Sequence, residues 1–85
     1  MRDPEQEQRR ERIVRLATRG RSAGPEFERD VRRAASEVAA HISAGLRVGL
    51  RTDALAIGAA EGERQRAILL SHLASVAPDP ARGIA

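Results

Sequence analysis

Between residues 24 and 52 the chain changes its hydrophobic period from that of a helix to that of a strand with almost nothing in between. Phe27, Val31, Ala34, Ala35, Val38 and Ile42 recur at spacings of three and four, which stacks them on one helical face. Pro25 suits the first helical position, because it has no N–H to leave orphaned and its φ is already helical. Gly45 suits the position just past the helix, where a positive φ costs a glycine almost nothing. Leu46, Val48 and Leu50 then alternate with Arg47, Gly49 and Arg51 at the two-residue period of a strand. The pattern predicts a helix over 25–44 and a strand over 46–52. A helix that runs directly into a strand is half of a βαβ unit, and it commits the chain to α/β architecture.

That strand needs a neighbour. Residues 12–18 can be read two ways: as the continuation of an N-terminal helix towards Gly20, or as a short strand of Ile13, Val14, Leu16 and Thr18 ahead of the turn-rich residues 19–24. The pairing requirement of the strand over 46–52 favours the second. Residues 53–62 read as a loop of small residues in which Leu55, Ala56 and Ile57 form at most a brief extended segment. A second helix is expected over 63–76. Its apolar stripe is Ile68, Leu69, Leu73 and Val76, widened by Ala67 and Leu70, and Pro78 and Pro80 end it. The fold class is therefore α/β: a small β-α-β-α unit with parallel strands, in which Phe27, Val31, Val38 and Ile42 pack on Val48, Leu50 and the first strand. Residues 1–11 are expected to form a charged N-terminal helix or tail, with Asp3, Pro4 and Gln6 as a helix start and Glu5 four residues before Arg9. Residues 12–77 make the single domain, and residues 78–85 a C-terminal tail.

The 85 residues include one Phe and no Trp, Tyr or Cys, so the core is built from Leu, Ile, Val and Ala, without a disulfide or a Cys-ligated zinc to reinforce it. A core this thin, under two short strands with open edges, makes the isolated chain dimeric, aggregation-prone or weakly folded. No apolar run approaches the ~20 residues that span a bilayer. Nor does an apolar segment follow Met1 and Arg2 as a secretory signal would require, so a cytoplasmic protein is expected. All 15 basic residues are Arg, and the net charge is +3. Residues 1–33 hold ten of those Arg but also seven of the 12 acids, with the signs interspersed, as on a solvated, ion-paired face. A small nucleic-acid-binding protein using Arg9, Arg10, Arg12, Arg19 and Arg21 is the alternative, and it is disfavoured by the lack of a clean basic stripe.

Residues capable of chemistry are few. His41 and His72 lie beside apolar helix positions, too far apart in sequence for a metal motif. The turn over 19–25 sits between a strand and a helix N-terminus, where a phosphate can be held. It lacks the residue order of a P-loop or a dinucleotide fold, however, and Glu26 and Glu28 already serve the helix dipole. Asp53, just past a strand end, is placed as a catalytic or ligating acid would be, but without a partner base it reads as a turn former. No serine lies in a G-x-S-x-G elbow, and Glu61 with Glu63 reads as the charged start of the last helix. No catalytic, cofactor-binding or metal-ligating residue is assigned, and no enzymatic activity is expected.

The run Phe27-Glu28-Arg29-Asp30-Val31-Arg32-Arg33-Ala34-Ala35-Ser36-Glu37-Val38-Ala39, then Gly45-Leu46-Arg47-Val48-Gly49-Leu50-Arg51-Thr52, resembles the domain-of-unknown-function family 58, whose members look like von Willebrand factor A-type domains. Ile68-Leu69-Leu70 and Leu73-Ala74 resemble that family's last helix. The likeness covers about residues 13–77 and rests mostly on packing residues. It implies part of a Rossmann-like sheet of parallel strands with helices on both faces, and a role in protein–protein contact. It also implies a working partnership with a MoxR-type AAA+ ATPase in the assembly or maturation of partner complexes. Because A-type domains are longer, it implies the C-terminal part of a larger protein or a truncated frame. Many A-type domains hold a divalent cation on an Asp-x-Ser-x-Ser turn. Here the matching place reads Ala17-Thr18-Arg19-Gly20-Arg21, followed by Ser22, with no carboxylate and two added positive charges. The turn is expected to bind no divalent cation and to favour chloride, phosphate or a partner's carboxylate.

Overall fold

Pro25 and Gly45 bracket the long helix as their chemistry requires. In a computed structural model, which describes residues 10–78, helix α1 runs Pro25–Ser43 with Pro25 in its first turn. Its end is a Schellman motif. The N–H of Leu46 donates to the carbonyl of His41 at 3.0 Å and that of Gly45 to Ile42 at 2.9 Å, with Gly45 at φ +84°. The chain leaves this cap directly into strand β2, Arg47–Arg51.

Strand β1, Glu11–Arg15, pairs parallel with β2 in the register Glu11↔Arg47, Ile13↔Gly49, Arg15↔Arg51. Backbone bonds from Arg47 N–H to Arg10 O and from Leu16 N–H to Arg51 O extend the pairing at both ends. Residues 12–18 thus begin in a strand, as the pairing argument required, although the ladder is shorter than expected. A third strand goes beyond the brief extended segment expected at Leu55, Ala56 and Ile57. The segment read as loop contains β3, Ala56–Ala60, antiparallel to β2, and the sheet order is β1-β2-β3. The β-α-β-α reading with only parallel strands is corrected to β-α-β-β-α with one parallel and one antiparallel pair. The sequence Ala-Ile-Gly-Ala-Ala has little β propensity of its own. It forms a strand because a tight turn at Asp53 and Ala54, closed by Thr52 N–H to Leu55 O at 2.8 Å, folds it back onto the free edge of β2.

The pairing is uneven. Val48 faces Ala60 and Leu50 faces Ile57, so the single residue Gly49 is opposed by Gly58 and Ala59, a β-bulge. Helix α2, Glu63–Ser75, follows and packs on α1 over the same face of the sheet. One core joins Val14, Leu16, Ala34, Val38, Ile42, Val48, Leu50, Leu69 and Leu73. Both helices lie on this face, which departs from the two-faced arrangement implied by the family likeness.

Two packing expectations need correction. In α2 the buried residues are Gln65, Leu69 and Leu73, an i, i+4, i+8 stripe, whereas Ile68 is 40% exposed and Ala67 is exposed. Gln65 claims the inward position because its amide Nε2 donates to the carbonyls of Val48 at 2.8 Å and Gly58 at 2.9 Å, bridging β2 and β3 at the bulge. Phe27 is buried, but outside the main core. It lies beneath the guanidinium of Arg21, 5.3 Å from the ring centroid, and lines a groove with Leu73, Ala74 and Val76. The expected N-terminal helix or tail and the C-terminal tail lie, apart from residues 10, 11 and 78, outside the described residues. No described helix is long and apolar enough to cross a membrane.

Candidate functional site

Parallel strands β1 and β2 end side by side, which brings the segments following them together. Asp53, past the end of β2, turns its Oδ2 to residues past the end of β1. It accepts from the N–H of Arg19 at 2.7 Å, the N–H of Thr18 at 2.8 Å and the Thr18 hydroxyl at 3.3 Å. These bonds, led by the one from Arg19 N–H, hold the Asp53 carboxyl below its ordinary value of 3.8. Asp53 is thus more than a turn former: it staples two loops 34 and 35 residues apart in sequence. Asp53 thus brings a carboxylate of the chain itself to Thr18 and Arg19 of the Ala17–Ser22 turn.

Thr18, Asp53, His72 and Ser75 line one cleft of about 260 Å³ at this end of the sheet. The residue types are those of a nucleophile, a base and an acid, but the hydrogen bonds are not. Ser75 Oγ donates back to the carbonyls of Ser71 and His72 in its own helix, and Asp53 is engaged with backbone N–H groups. Among the described residues no hydrogen bond links Ser75 to the His72 ring, or His72 to Asp53. Beside it, Arg21 Nη2 pairs with Asp30 at 2.9 Å and Nη1 reaches the Ala17 carbonyl at 3.3 Å. Arg21, one of the two cations of the turn over 19–25, is therefore used to fasten that turn to α1.

Among the described residues no helix lies over the opposite surface of the sheet. Ile13 stands there 44% exposed, and its Cδ1 lies over Gly49, which has no side chain of its own. Arg15 and Arg51 face each other on the same surface, directly opposed in register, as do Glu11 and Arg47 at the other end. Arg47 is engaged: Nη2 donates to the Ala59 carbonyl at 3.2 Å and Nη1 lies 3.8 Å from a Glu11 oxygen. Among the described residues no carboxylate pairs with Arg15 or Arg51. Like charges facing each other across a strand pair repel, so these two arginines are held together at a cost to the fold.

Of the arginines singled out for nucleic acid, Arg9 lies outside the described residues. Arg10 and Arg12 lie at the start of β1, while Arg19 and Arg21 lie beyond its end. Arg10 and Arg12 thus lie at the opposite end of β1 from Arg19 and Arg21. His41 is half-buried on α1 and His72 is exposed on α2, and no group of three His, Asp or Glu suited to a metal occurs among the described residues. Gln65 and the Arg15/Arg51 pair were not anticipated. Gln65 carried one signal, its spacing of four and eight residues from Leu69 and Leu73. The arginine pair carried none, because its meaning depends on strand register. Compared with known proteins, the chain matches no family model, no curated protein and no solved structure.

Proposed function

We propose that the protein is a non-enzymatic protein–protein interaction module that receives its partner on the open face of the sheet. The observation that carries this reading is Ile13. It is a large apolar side chain, 44% exposed, at the centre of a face that neither helix covers. Parallel strand pairs such as β1–β2 are ordinarily buried on both faces, and a bare face with an apolar residue on that pair fits an additional covering layer. The cleft at the strand ends fits the non-enzymatic part of the reading, since Asp53 is engaged with the backbone N–H groups of Thr18 and Arg19 and Ser75 with carbonyls of its own helix. On the resemblance to the domain-of-unknown-function family 58, we take a MoxR-type AAA+ ATPase as the first candidate partner, with assembly or maturation of a complex as the joint task.

Photo-crosslinking tests the reading. A benzophenone amino acid at position 13 in the full chain, expressed in its native host, is expected to yield a discrete protein adduct. The same probe at exposed Ser36 of α1 is expected to yield none. Equal labelling from both positions, or an adduct with nucleic acid, refutes it. Identification of the adduct as an AAA+ ATPase supports the named partner.

A further inference from the structure

We infer that the occupant of the open sheet face is an acidic amphipathic helix of a partner protein, its apolar stripe on Ile13 and its carboxylates on Arg15 and Arg51. This rests on the reading of that face as a protein interface and adds the chemistry of what docks there.

Charge excludes the simplest alternative. Among the described residues the face carries Arg15, Arg47 and Arg51 against one acid, Glu11, so a second copy laid face to face sets one net-positive surface against another. Arg47 and Glu11 satisfy each other, and the excess is concentrated at the end where Arg15 and Arg51 stand opposed. Adjacent strands are ~4.8 Å apart, so the two Arg side chains leave the sheet from neighbouring backbone positions, from which both can reach one carboxylate. Their mutual repulsion, a cost in the free protein, is relieved when an anion arrives.

A nucleic acid also brings anions, but single strands bind sheets by stacking bases on aromatic side chains. This face has none: the only aromatic residue is Phe27, buried on α1 beneath Arg21. Ile13 calls instead for an apolar counterpart. The spacing fits a helix. Ile13 and Arg15 lie two residues apart along β1, ~6.6 Å, while residues i and i+4 of a helix rise ~6 Å and share a face. A leucine four residues from a glutamate, on a helix lying along β1, therefore meets Ile13 and the Arg15/Arg51 pair together. Such a helix mirrors α1 and α2 on the other side and completes a three-layer sandwich.

The probe is a fluorescently labelled 18-residue helical peptide with leucine and glutamate four residues apart on one face, titrated against the full chain by anisotropy. A counterpart has lysine in place of every glutamate. The acidic peptide is expected to bind, more weakly as salt rises, and the lysine peptide is not. In R15E/R51E the preference should invert, with the acidic peptide weakened by at least about tenfold and the lysine peptide gaining. Ile13→Asp should abolish binding of the acidic peptide. All three positions are exposed, so circular dichroism melts are expected to show each variant folded.

Equal binding of both peptides, unchanged binding of the acidic peptide to R15E/R51E, or no binding at about 1 mM overturns the inference. A dimer in sedimentation that Ile13→Asp dissociates overturns it in favour of a second copy. An oligonucleotide that binds and is lost in R15E/R51E overturns it in favour of nucleic acid. If a position-13 protein adduct is found while the acidic peptide fails, only the acidic-helix assignment falls. If the adduct is also missing, the interface reading falls with it.

Discussion

Gly49→Ala is the change that most directly tests the sheet described here. A Cβ added at Gly49 stands 2.5 Å from the Ile57 carbonyl oxygen, 2.9 Å from Ile13 Cδ1 and 3.1 Å from the Ala59 nitrogen. The Ile13 methyl can rotate away. The two backbone atoms belong to the bulged strand β3 and can yield only by moving the strand. Overpacking of this kind costs about 1–3 kcal/mol, and alanine returns about 0.4–1 kcal/mol by restricting the unfolded chain. A net loss of about 1–2 kcal/mol follows, which lowers the melting temperature of a domain this size by about 5–15 °C. Gly58→Ala is the matched control. It lies in the same bulge, yet an added Cβ there meets nothing within 4 Å, so its melting temperature is expected to hold or rise slightly. Circular dichroism melts of the three proteins at equal concentration decide. A Gly49→Ala shift below about 2 °C, or an equal loss in both variants, refutes the bulge as the reason for glycine at position 49.

Three further outcomes are expected. Gln65→Leu keeps the helix but leaves the Val48 and Gly58 carbonyls without their donor, and urea unfolding should show a loss of about 1–3 kcal/mol; an unchanged midpoint refutes the bridging role. Asp53 has a folded-state pKa depressed below its ordinary 3.8, so its contribution is fully present above that value and is lost as pH falls through the lower folded value. The urea midpoint of the native chain should accordingly exceed that of Asp53→Asn near neutral pH and converge with it in acid, and a pH-independent gap would count against the staple. Calorimetric titration with magnesium or manganese is expected to show no specific heat at the Thr18–Asp53 contact, where backbone N–H groups already occupy the carboxylate and Arg19 adds positive charge. Micromolar binding abolished by Thr18→Ala contradicts this.

The extent to which each element was legible follows from how local its cause is. Helix α1 was readable almost to the residue, because a proline that fits only the first turn and a glycine that fits only the Schellman position mark its two ends within the chain itself. Strand β2 announces itself by alternation, and β1 could be inferred because β2 needed a neighbour. Where the cause is another part of the molecule, local pattern failed. The segment Ala-Ile-Gly-Ala-Ala becomes β3 only because β2 offers an open edge within reach of a two-residue turn. The inward face of α2 was misjudged at Ile68 because apolar residues spread around that helix, and the carbonyls that Gln65 satisfies exist only after β2 and β3 have paired.

The candidate sites divide along the same line. The sequence by itself determined that Asp53 follows a strand end, that the arginines are numerous and that aromatic residues are scarce. Parallel register decided the rest. It set Asp53 against the N–H groups of Thr18 and Arg19, and it raised Arg15 and Arg51 together beside an uncovered Ile13. Register is fixed by which side chains reach the shared core, so residues distant in sequence meet on the opposite face as a consequence of packing that no local window contains.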